Sequence, residues 1–280
     1  MNDSLQLDQE APGGIFEIHA GHARSYQGLT VFQLISEPRT GLPYDLLLDA
    51  IDAGSLTSRE IGSGTVPNLF AHNVGSTDVL ILDGEQLIGA RQNRITNRSI
   101  LLEAGVKTEI PVSCMEQGRW HHETDHFRPR PKPRHAPSQV RRKAREVEAA
   151  YAAAPSLAGV SILHEAQGEV WREIGNVAAK MEVCSPTGAM DEVYDRHTES
   201  LDDWIARFPC AEDQVGLLAF LGRRPLGLDV VGSPALYARL HERFLGGYCM
   251  DALTRRSGKE SRREPPSGET AERFLSGVGS

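Results

Sequence analysis

Residues 65–113 read TVPNLFAHNVGSTDVLILDGEQLIGARQNRITNRSILLEAGVKTEIPVS, and this stretch decides the fold class. Short apolar runs rich in β-forming residues recur at intervals of roughly ten residues, at 65–73, 78–82, 100–102 and 108–113. The turn signals between these runs are Gly75-Ser76, Asp83-Gly84 and Ala104-Gly105. Short strands at this spacing predict an antiparallel sandwich or a partly open barrel.

Strand-like patterns continue on the N-terminal side of this stretch. Residues 15–19 alternate between apolar and polar side chains, and residues 29–35 form an apolar run rich in β-forming residues. Residues 46–53 fit either a short helix or a strand. The Asp83-Gly84 pair predicts a tight hairpin, because both central residues of a type I′ turn need a positive φ.

The C-terminal half changes to helical patterns after a link at 128–137 whose four prolines forbid a helix. Apolar residues at helical spacing predict four helices, at 138–151, 169–181, 190–208 and from Ser233-Pro234 to Leu253. A β-hairpin at 215–231 interrupts them, with strands that read VGLLAFLG and PLGLDVVG. Ser233 and Pro234 suit the N-cap and first position of the last helix.

These patterns predict an α+β protein, in which an antiparallel β-rich N-terminal half precedes a helix-rich C-terminal half that contains one β-hairpin. The N-terminus shows no signal-peptide pattern. We expect one structural unit, because the proline-rich link is its only internal boundary. The predicted organisation is a loose leader at 1–14, a single domain at 15–253 (β-rich part 15–127, link 128–137, helical part 138–253) and a flexible tail at 254–280 with a short amphipathic end at 269–275.

The composition is that of a globular protein of the cytoplasm. Of the 280 residues, 40% are hydrophobic and 24% are charged, which excludes wholesale disorder. No run of about 18 apolar residues occurs, so we expect no membrane partner. The four cysteines form no CxxC pair, and so few in a chain of this length indicate reduced thiols and a cytoplasmic location.

Charge is unevenly distributed along the chain. The formal net charge is −8, yet residues 128–145 carry eight basic residues and no acidic one. Such a segment can attract phosphate groups, but it has no interleaved aromatic residues and matches no nucleic-acid fold motif. The basic segment is explained equally well as a solvent-exposed cationic linker that lies across the acidic rest of the protein. A nucleic-acid partner therefore ranks last among the functional hypotheses.

Polar chemistry concentrates between Asp83 and Trp120. Residues 91–98 read RQNRITNR, with three arginines, two asparagines and a glutamine. Guanidinium groups present a planar fork to phosphate or carboxylate, and amides both donate and accept hydrogen bonds. A solvated strand edge is the structural alternative. The predicted ligand-binding residues are Gln92, Asn93, Arg94, Asn97, Arg119 and Trp120.

Residues 114–120 read CMEQGRW, and in an extended strand Cys114 and Glu116 share one face. Nearby cations lower the pKa of a thiol and make it a nucleophile, whereas a neighbouring carboxylate raises that pKa. An activated Cys114 therefore requires the arginines to dominate. The structural alternative is an inert buried cysteine beside a Glu–Arg pair. The predicted catalytic residues are Cys114, Glu116 and Glu85.

The residues that follow, HHETDH at 121–126, combine three histidines with two carboxylates. On a helix, His122 and His126 would share a face that suits a metal ion. The segment is not an HExxH motif and leads directly into the proline-rich link, so we interpret it as a polar loop. We predict no metal site and no cofactor, and the sequence leaves open whether His121, His122 and His126 bind a metal.

The stretches DGEQLIGARQNR, NRSILLEAG and IPVSCMEQGRW resemble the signature of a bacterial family, the ARG and rhodanese-phosphatase-superfamily-associated protein domain, where ARG stands for ADP-ribosylglycohydrolase. The similarity extends from about Leu29 to about Leu253 and includes GLTVFQL, VPNLFAHN, GEVWREI and the predicted hairpin with its following helix. The matching motif positions are Glu85, Gln92, Asn93, Arg94, Asn97, Cys114, Glu116, Gly118, Arg119 and Trp120.

The resemblance implies genomic association with ADP-ribose-processing and phosphatase-like enzymes, which are the expected partners. We expect the RQNR and CMEQGRW segments to line a pocket for ADP-ribose or a related nucleotide-derived, phosphorylated small molecule. Arg94 and Arg119 suit its phosphates, and Trp120 suits its base. The first hypothesis is an enzyme that hydrolyses such a ligand. The alternative is a non-catalytic sensor or adaptor that binds the same ligand.

Overall fold

The computed structural model describes residues 17–37, 44–62, 67–119, 121, 124–129, 132, 134–153, 159–255 and 264–278. The strands in this part of the chain are β1 Ile18–Tyr26, β2 Leu29–Ser36, β3 Tyr44–Leu46, β4 Leu56–Glu60, β5 Asn68–Asn73, β6 Asp78–Ile81, β7 Gln86–Gly89, β8 Arg94–Thr96, β9 Ile100–Leu102, β10 Lys107–Cys114, β11 Phe127–Pro129, β12 Gln214–Leu221 and β13 Arg224–Val230. The helices are α1 Leu47–Asp52, α2 Ser138–Ala153, α3 Gly159–Lys180, α4 Met190–Arg196, α5 Thr198–Ile205, α6 Pro234–Thr254 and α7 Gly268–Val278. A β-rich N-terminal half and helices in the C-terminal half confirm the predicted α+β class.

A six-stranded antiparallel sheet forms the centre of the N-terminal half, in the order β11-β7-β8-β10-β5-β4. Its two end strands, β11 and β4, contact each other, so the sheet is nearly closed into a barrel. Leu69, Leu87 and Val112 are fully buried in its core. Along β5, buried residues alternate with partly buried or exposed ones, as the two-residue period of a strand requires.

A four-stranded antiparallel sheet, in the order β1-β2-β12-β13, joins the two halves of the chain. The predicted hairpin forms from β12 and β13, and β12 also pairs with β2, with Leu218 opposite Phe32. All eight residues of β12 are buried. One face of this sheet packs against the main helical core, which includes α6, and the other packs against α7.

Helix α7 lies within the segment that we predicted as a flexible tail. Its Ala271 is fully buried beside Phe32 and Phe220 of the four-stranded sheet. Glu272 Oε1 accepts a hydrogen bond from the backbone N–H of Ala20 on the edge strand β1, at 2.6 Å. This part of the segment is therefore a packed helix, as the amphipathic pattern at 269–275 indicated.

The turn at Asp83-Gly84 is not a hairpin, and that prediction was wrong. Strand β6 pairs with β3 and β9, whereas β7 pairs with β8 and β11, so the turn connects two different sheets. Gly84 has a φ of 83° but Asp83 does not have a positive φ, which excludes a type I′ turn. A Cβ at Gly84 would also lie 2.8 Å from the Arg141 side chain, so the glycine lets α2 approach the turn.

The helical half differs from the prediction in two respects. The helix predicted at 169–181 begins ten residues earlier, since α3 runs from Gly159 to Lys180. The helix predicted at 190–208 is two helices, α4 and α5, which meet at His197. Helix α6 begins as predicted, because Ser233 Oγ accepts a hydrogen bond from Leu236 N at 3.3 Å. No helix in the described ranges combines the length and apolar character needed to cross a membrane.

Candidate functional site

The two motif segments are neighbours on adjacent strands. Arg94 of β8 lies opposite Cys114 of β10 in the antiparallel register, and the Met115 N–H donates to the Asn93 carbonyl at 2.9 Å. Trp120 lies outside the described residues. The other predicted site residues are all buried, with exposures between 0% and 8%: Glu85, Gln92, Asn93, Arg94, Asn97, Cys114, Glu116 and Arg119.

Arg94 is the centre of the first buried cluster. Its Nη1 donates to Cys114 Sγ at 2.7 Å and to Gln92 Oε1 at 3.1 Å. Its Nη2 forms an ion pair with Glu60 Oε1 of β4 at 3.1 Å. A buried guanidinium needs such partners because an unpaired charge in the interior is strongly destabilising. No sequence pattern pointed to Glu60, since its position beside Arg94 depends on the pairing of distant strands.

Two opposing effects act on the pKa of the Cys114 thiol. Burial raises the pKa of its thiol to about 11, although the Arg94 guanidinium opposes this shift. The thiol is therefore protonated at neutral pH. Gln167 of α3 also fixes the residue, because its side-chain amide accepts from Cys114 N at 2.9 Å and donates to Cys114 O at 3.0 Å.

Arg119 is the centre of the second buried cluster. Its Nε donates to Glu116 Oε2 at 2.8 Å, and its Nη2 donates to Asn93 Oδ1 at 3.0 Å. Burial alone would raise the pKa of Glu116, but hydrogen bonds from Arg119 and Thr187 outweigh it and lower the pKa. Glu116 is therefore an ionised partner of Arg119. Asn93 forms a hydrogen bond with each of them, which connects the two motif segments.

Glu85 and Asn97 lie apart from these two clusters. Asn97 Oδ1 accepts from Ser113 Oγ at 2.9 Å. Glu85 Oε2 accepts from Leu82 N at 2.8 Å, which closes the turn before β7. The other oxygen of Glu85 forms an ion pair with Arg243 of α6. Glu85 thus contacts α6, whereas Cys114 contacts α3.

Arg243 also lines a cleft of about 720 Å³ beside α5 and α6. This cleft was not among the sites predicted from the sequence. The available signal was the spacing of Arg239 and Arg243, which places both on one face of α6. The lining residues are Lys132, Arg134, Asp202, Ile205, Ala206, Phe208, Pro209, Cys210, Ala238, Arg239, His241, Glu242 and Arg243.

Cationic side chains dominate the polar lining of this cleft. Lys132 Nζ and Arg134 Nη2 both contact the Asp202 carboxylate, at 2.7 Å and 2.5 Å. Arg239 pairs with Asp49 outside the lining, and both side chains are half-exposed. The lining therefore contains four cationic side chains but two carboxylates, Asp202 and Glu242.

One family model matches residues 17–280, which is nearly the whole chain. Its description is the ARG and Rhodanese-Phosphatase-superfamily-associated Protein domain, ARPP-1. The chain belongs to this family. The match confirms the resemblance of the motif, and the ARPP-1 name associates the chain with ADP-ribosylglycohydrolases and the rhodanese-phosphatase superfamily. No curated protein and no solved structure matches the chain.

The basic segment of this ARPP-1 chain is largely neutralised by ion pairs, which reduces its attraction for a phosphate backbone. Arg141 is buried and pairs with Asp229 and Asp83. Five other basic residues of the segment also have carboxylate partners: Lys132, Arg134, Arg142, Lys143 and Arg145.

Two further features of the ARPP-1 chain concern histidines. Within the described ranges, no group of three or more histidine, cysteine, aspartate or glutamate side chains could hold a metal ion. His121 and His126 are exposed there, whereas His122 lies outside the described residues. His135 is buried with no hydrogen-bond partner at either ring nitrogen, and burial lowers its pKa to about 3.

Proposed function

We propose that this ARPP-1 protein binds a nucleotide-derived, phosphorylated small molecule, represented by ADP-ribose, in the cleft beside α5 and α6. The observation that carries the proposal is that four cationic side chains, Lys132, Arg134, Arg239 and Arg243, line a cleft of about 720 Å³. Clefts of about 300–1,000 Å³ accommodate small ligands. Guanidinium and ammonium groups recognise phosphate oxygens. The family name supports ADP-ribose as the first ligand to test.

In this proposal the family motif supports the cleft from the interior. Glu85 holds Arg243 at the cleft, while the Arg94 and Arg119 clusters join β8 to the end of β10. Preorganised side chains bind a ligand more tightly because less conformational entropy is lost on binding. Direct ligand contact by the buried motif residues, and by Trp120, stays a prediction.

We favour binding without turnover over the hydrolytic alternative. A hydrolase needs a free general base or a nucleophile near the ligand. None of the predicted catalytic residues Cys114, Glu116 and Glu85 is part of the cleft lining. The Cys114 thiol is also protonated at neutral pH, and the Glu116 carboxylate is bonded to Arg119. The enzymes with which the family name associates the chain would then process the ligand, and this protein would sense it or deliver it. The catalytic roles of Cys114, Glu116 and Glu85 stay a prediction.

Calorimetry with ADP-ribose and NAD, combined with chromatography of the incubated ligand, tests the proposal. We expect ADP-ribose to bind without product formation. Arg239→Ala should weaken binding by about tenfold, the effect of about 1.4 kcal/mol. The matched control is Arg273→Ala, which removes the same charge from an exposed position on α7. Absence of binding by either ligand, or an equal loss in both variants, would refute the proposal.

A further inference from the structure

The cations of the cleft differ in how firmly their carboxylate partners are held. Arg243 pairs with Glu85, whose side chain is 1% exposed. Arg134 and Lys132 share Asp202, whose side chain is 40% exposed. Removing the partner of a buried charge is strongly destabilising, whereas an ion pair with an exposed partner contributes little to stability. The Asp202 contacts are therefore the ones that a ligand can replace.

The Asp202 carboxylate occupies a position suited to a phosphate group. Its Oδ2 accepts from Lys132 Nζ at 2.7 Å, and its Oδ1 accepts from Arg134 Nη2 at 2.5 Å. Each carboxylate oxygen thus contacts a separate cation, as two oxygens of a phosphate do when an arginine and a lysine bind it. Lys132 is 62% exposed, so its side chain can follow an incoming anion.

Arg134 does not withdraw from the cleft as easily. Its side chain is 8% exposed, and its aliphatic part lies against α6 at Gly246, where a Cβ would be 2.4 Å from Arg134 Cδ. Among the described residues, Arg243 Nε is a second buried donor of the cleft lining, and it has no hydrogen-bond partner. A ligand anion can replace a carboxylate if the carboxylate can move away while the cations that bind it stay in the cleft.

We propose that Asp202 is a resident counter-ion that occupies the phosphate position of the cleft and that the ligand displaces on binding. This inference rests on the proposed function of the cleft. Displacement selects the class of ligand, because a phosphomonoester or pyrophosphate carries more charge than the single carboxylate it replaces. A ligand without phosphate, such as adenosine, gains nothing from the exchange. The displaced Asp202 side chain turns towards solvent, where it is already partly exposed.

Asp202→Asn tests this inference, because it keeps the side-chain size and removes the competing charge. We expect calorimetry to show ADP-ribose and inorganic pyrophosphate binding about tenfold tighter, equivalent to about 1.4 kcal/mol, with no change for adenosine. The matched control is Glu242→Gln, which removes one negative charge from the same cleft. Its side chain is 72% exposed and 3.8 Å from Arg134, so we expect less than about a twofold gain.

A gain in affinity is a result that misfolding of a variant cannot produce. If the wild type binds ADP-ribose but Asp202→Asn binds it no tighter, or if Glu242→Gln gains equally, the counter-ion role is refuted while the proposed function stands. Binding that is detectable only in Asp202→Asn supports the inference. If neither protein binds ADP-ribose or pyrophosphate, both the counter-ion role and the proposed function are wrong.

Discussion

Glu85 and Arg243 form a buried ion pair between residues that are 158 positions apart in the sequence. Their side chains are 1% and 9% exposed. Glu85 also closes the turn before β7 through Leu82 N, so the pair connects the barrel-like sheet to α6. It also connects the family motif to the cleft, because Arg243 is one of the lining residues.

Glu85→Gln should lower the free energy of unfolding by about 3 kcal/mol, because Arg243 would remain as a buried charge without its partner. Urea denaturation followed by circular dichroism measures this change. The control is Glu269→Gln on α7, whose side chain is 83% exposed and whose loss should cost less than about 0.5 kcal/mol. Equal effects in the two variants would show that the Glu85–Arg243 pair contributes no more to the free energy of unfolding than an exposed ion pair.

Cys114 should resist alkylation in the native protein at pH 8, because burial raises its pKa to about 11 and excludes the reagent. Cys184 and Cys210 are exposed and should react first. Treatment with iodoacetamide followed by peptide mass spectrometry gives the modified fraction of each cysteine. Labelling of Cys114 as fast as that of Cys184 would contradict the structure and would revive its role as a nucleophile.

Gly246 and Gly247 of α6 should not tolerate alanine, although alanine normally stabilises a helix by about 1 kcal/mol relative to glycine. A Cβ at Gly247 would lie 2.8 Å from the backbone oxygen of Ala136, which cannot move aside. We expect Gly247→Ala to lower the melting temperature. Gly246→Ala should instead displace the Arg134 side chain and weaken ADP-ribose binding.

The control for both glycine variants is Gly175→Ala in α3, where a Cβ would meet no atom within 4 Å. Thermal unfolding should show a higher melting temperature for this variant. If Gly247→Ala raised the melting temperature as much as Gly175→Ala, the Ala136 backbone of the proline-rich link would not pack against α6.

Stability should fall in mild acid because His135 is buried in its neutral form. Burial lowers its pKa to about 3, well below the ordinary value of about 6.5. Between these two pKa values the unfolded state binds a proton at His135 that the folded state does not bind. The free energy of unfolding therefore has its full value above about pH 6.5 and decreases as the pH falls towards 3. For this group alone we expect a loss of about 2 kcal/mol between about pH 7.5 and pH 5.

His135→Leu should remove that part of the pH dependence, as measured by urea denaturation at the two pH values. The lowered pKa of His241 contributes with the same sign and remains in the variant. His164→Leu is the control, since His164 is exposed on α3 and its loss should leave the slope unchanged. If the free energy of unfolding changes with pH in His135→Leu as it does in the wild type, His135 is not buried in its neutral form.

The α+β class, the hairpin at 215–231 and the start of α6 at Ser233 could all be predicted from the amino-acid sequence. These features follow from two-residue and 3.6-residue periods and from local hydrogen bonds, which neighbouring residues decide. The adjacency of RQNR and CMEQGRW was also predictable, since both lie in one run of short strands. The family motif was readable for the same reason, because it is contiguous along the chain.

The pairing of the strands and the depth at which the motif is buried depend instead on long-range contacts of the folded protein. Two apolar strands flank Asp83-Gly84, but they pair with other partners because the register of each sheet depends on distant segments. Burial raises the pKa of Cys114 to about 11 against the influence of Arg94, and desolvation by distant segments leaves no local signature. The cleft is likewise assembled from the proline-rich link, α5 and α6, which meet only in the folded protein.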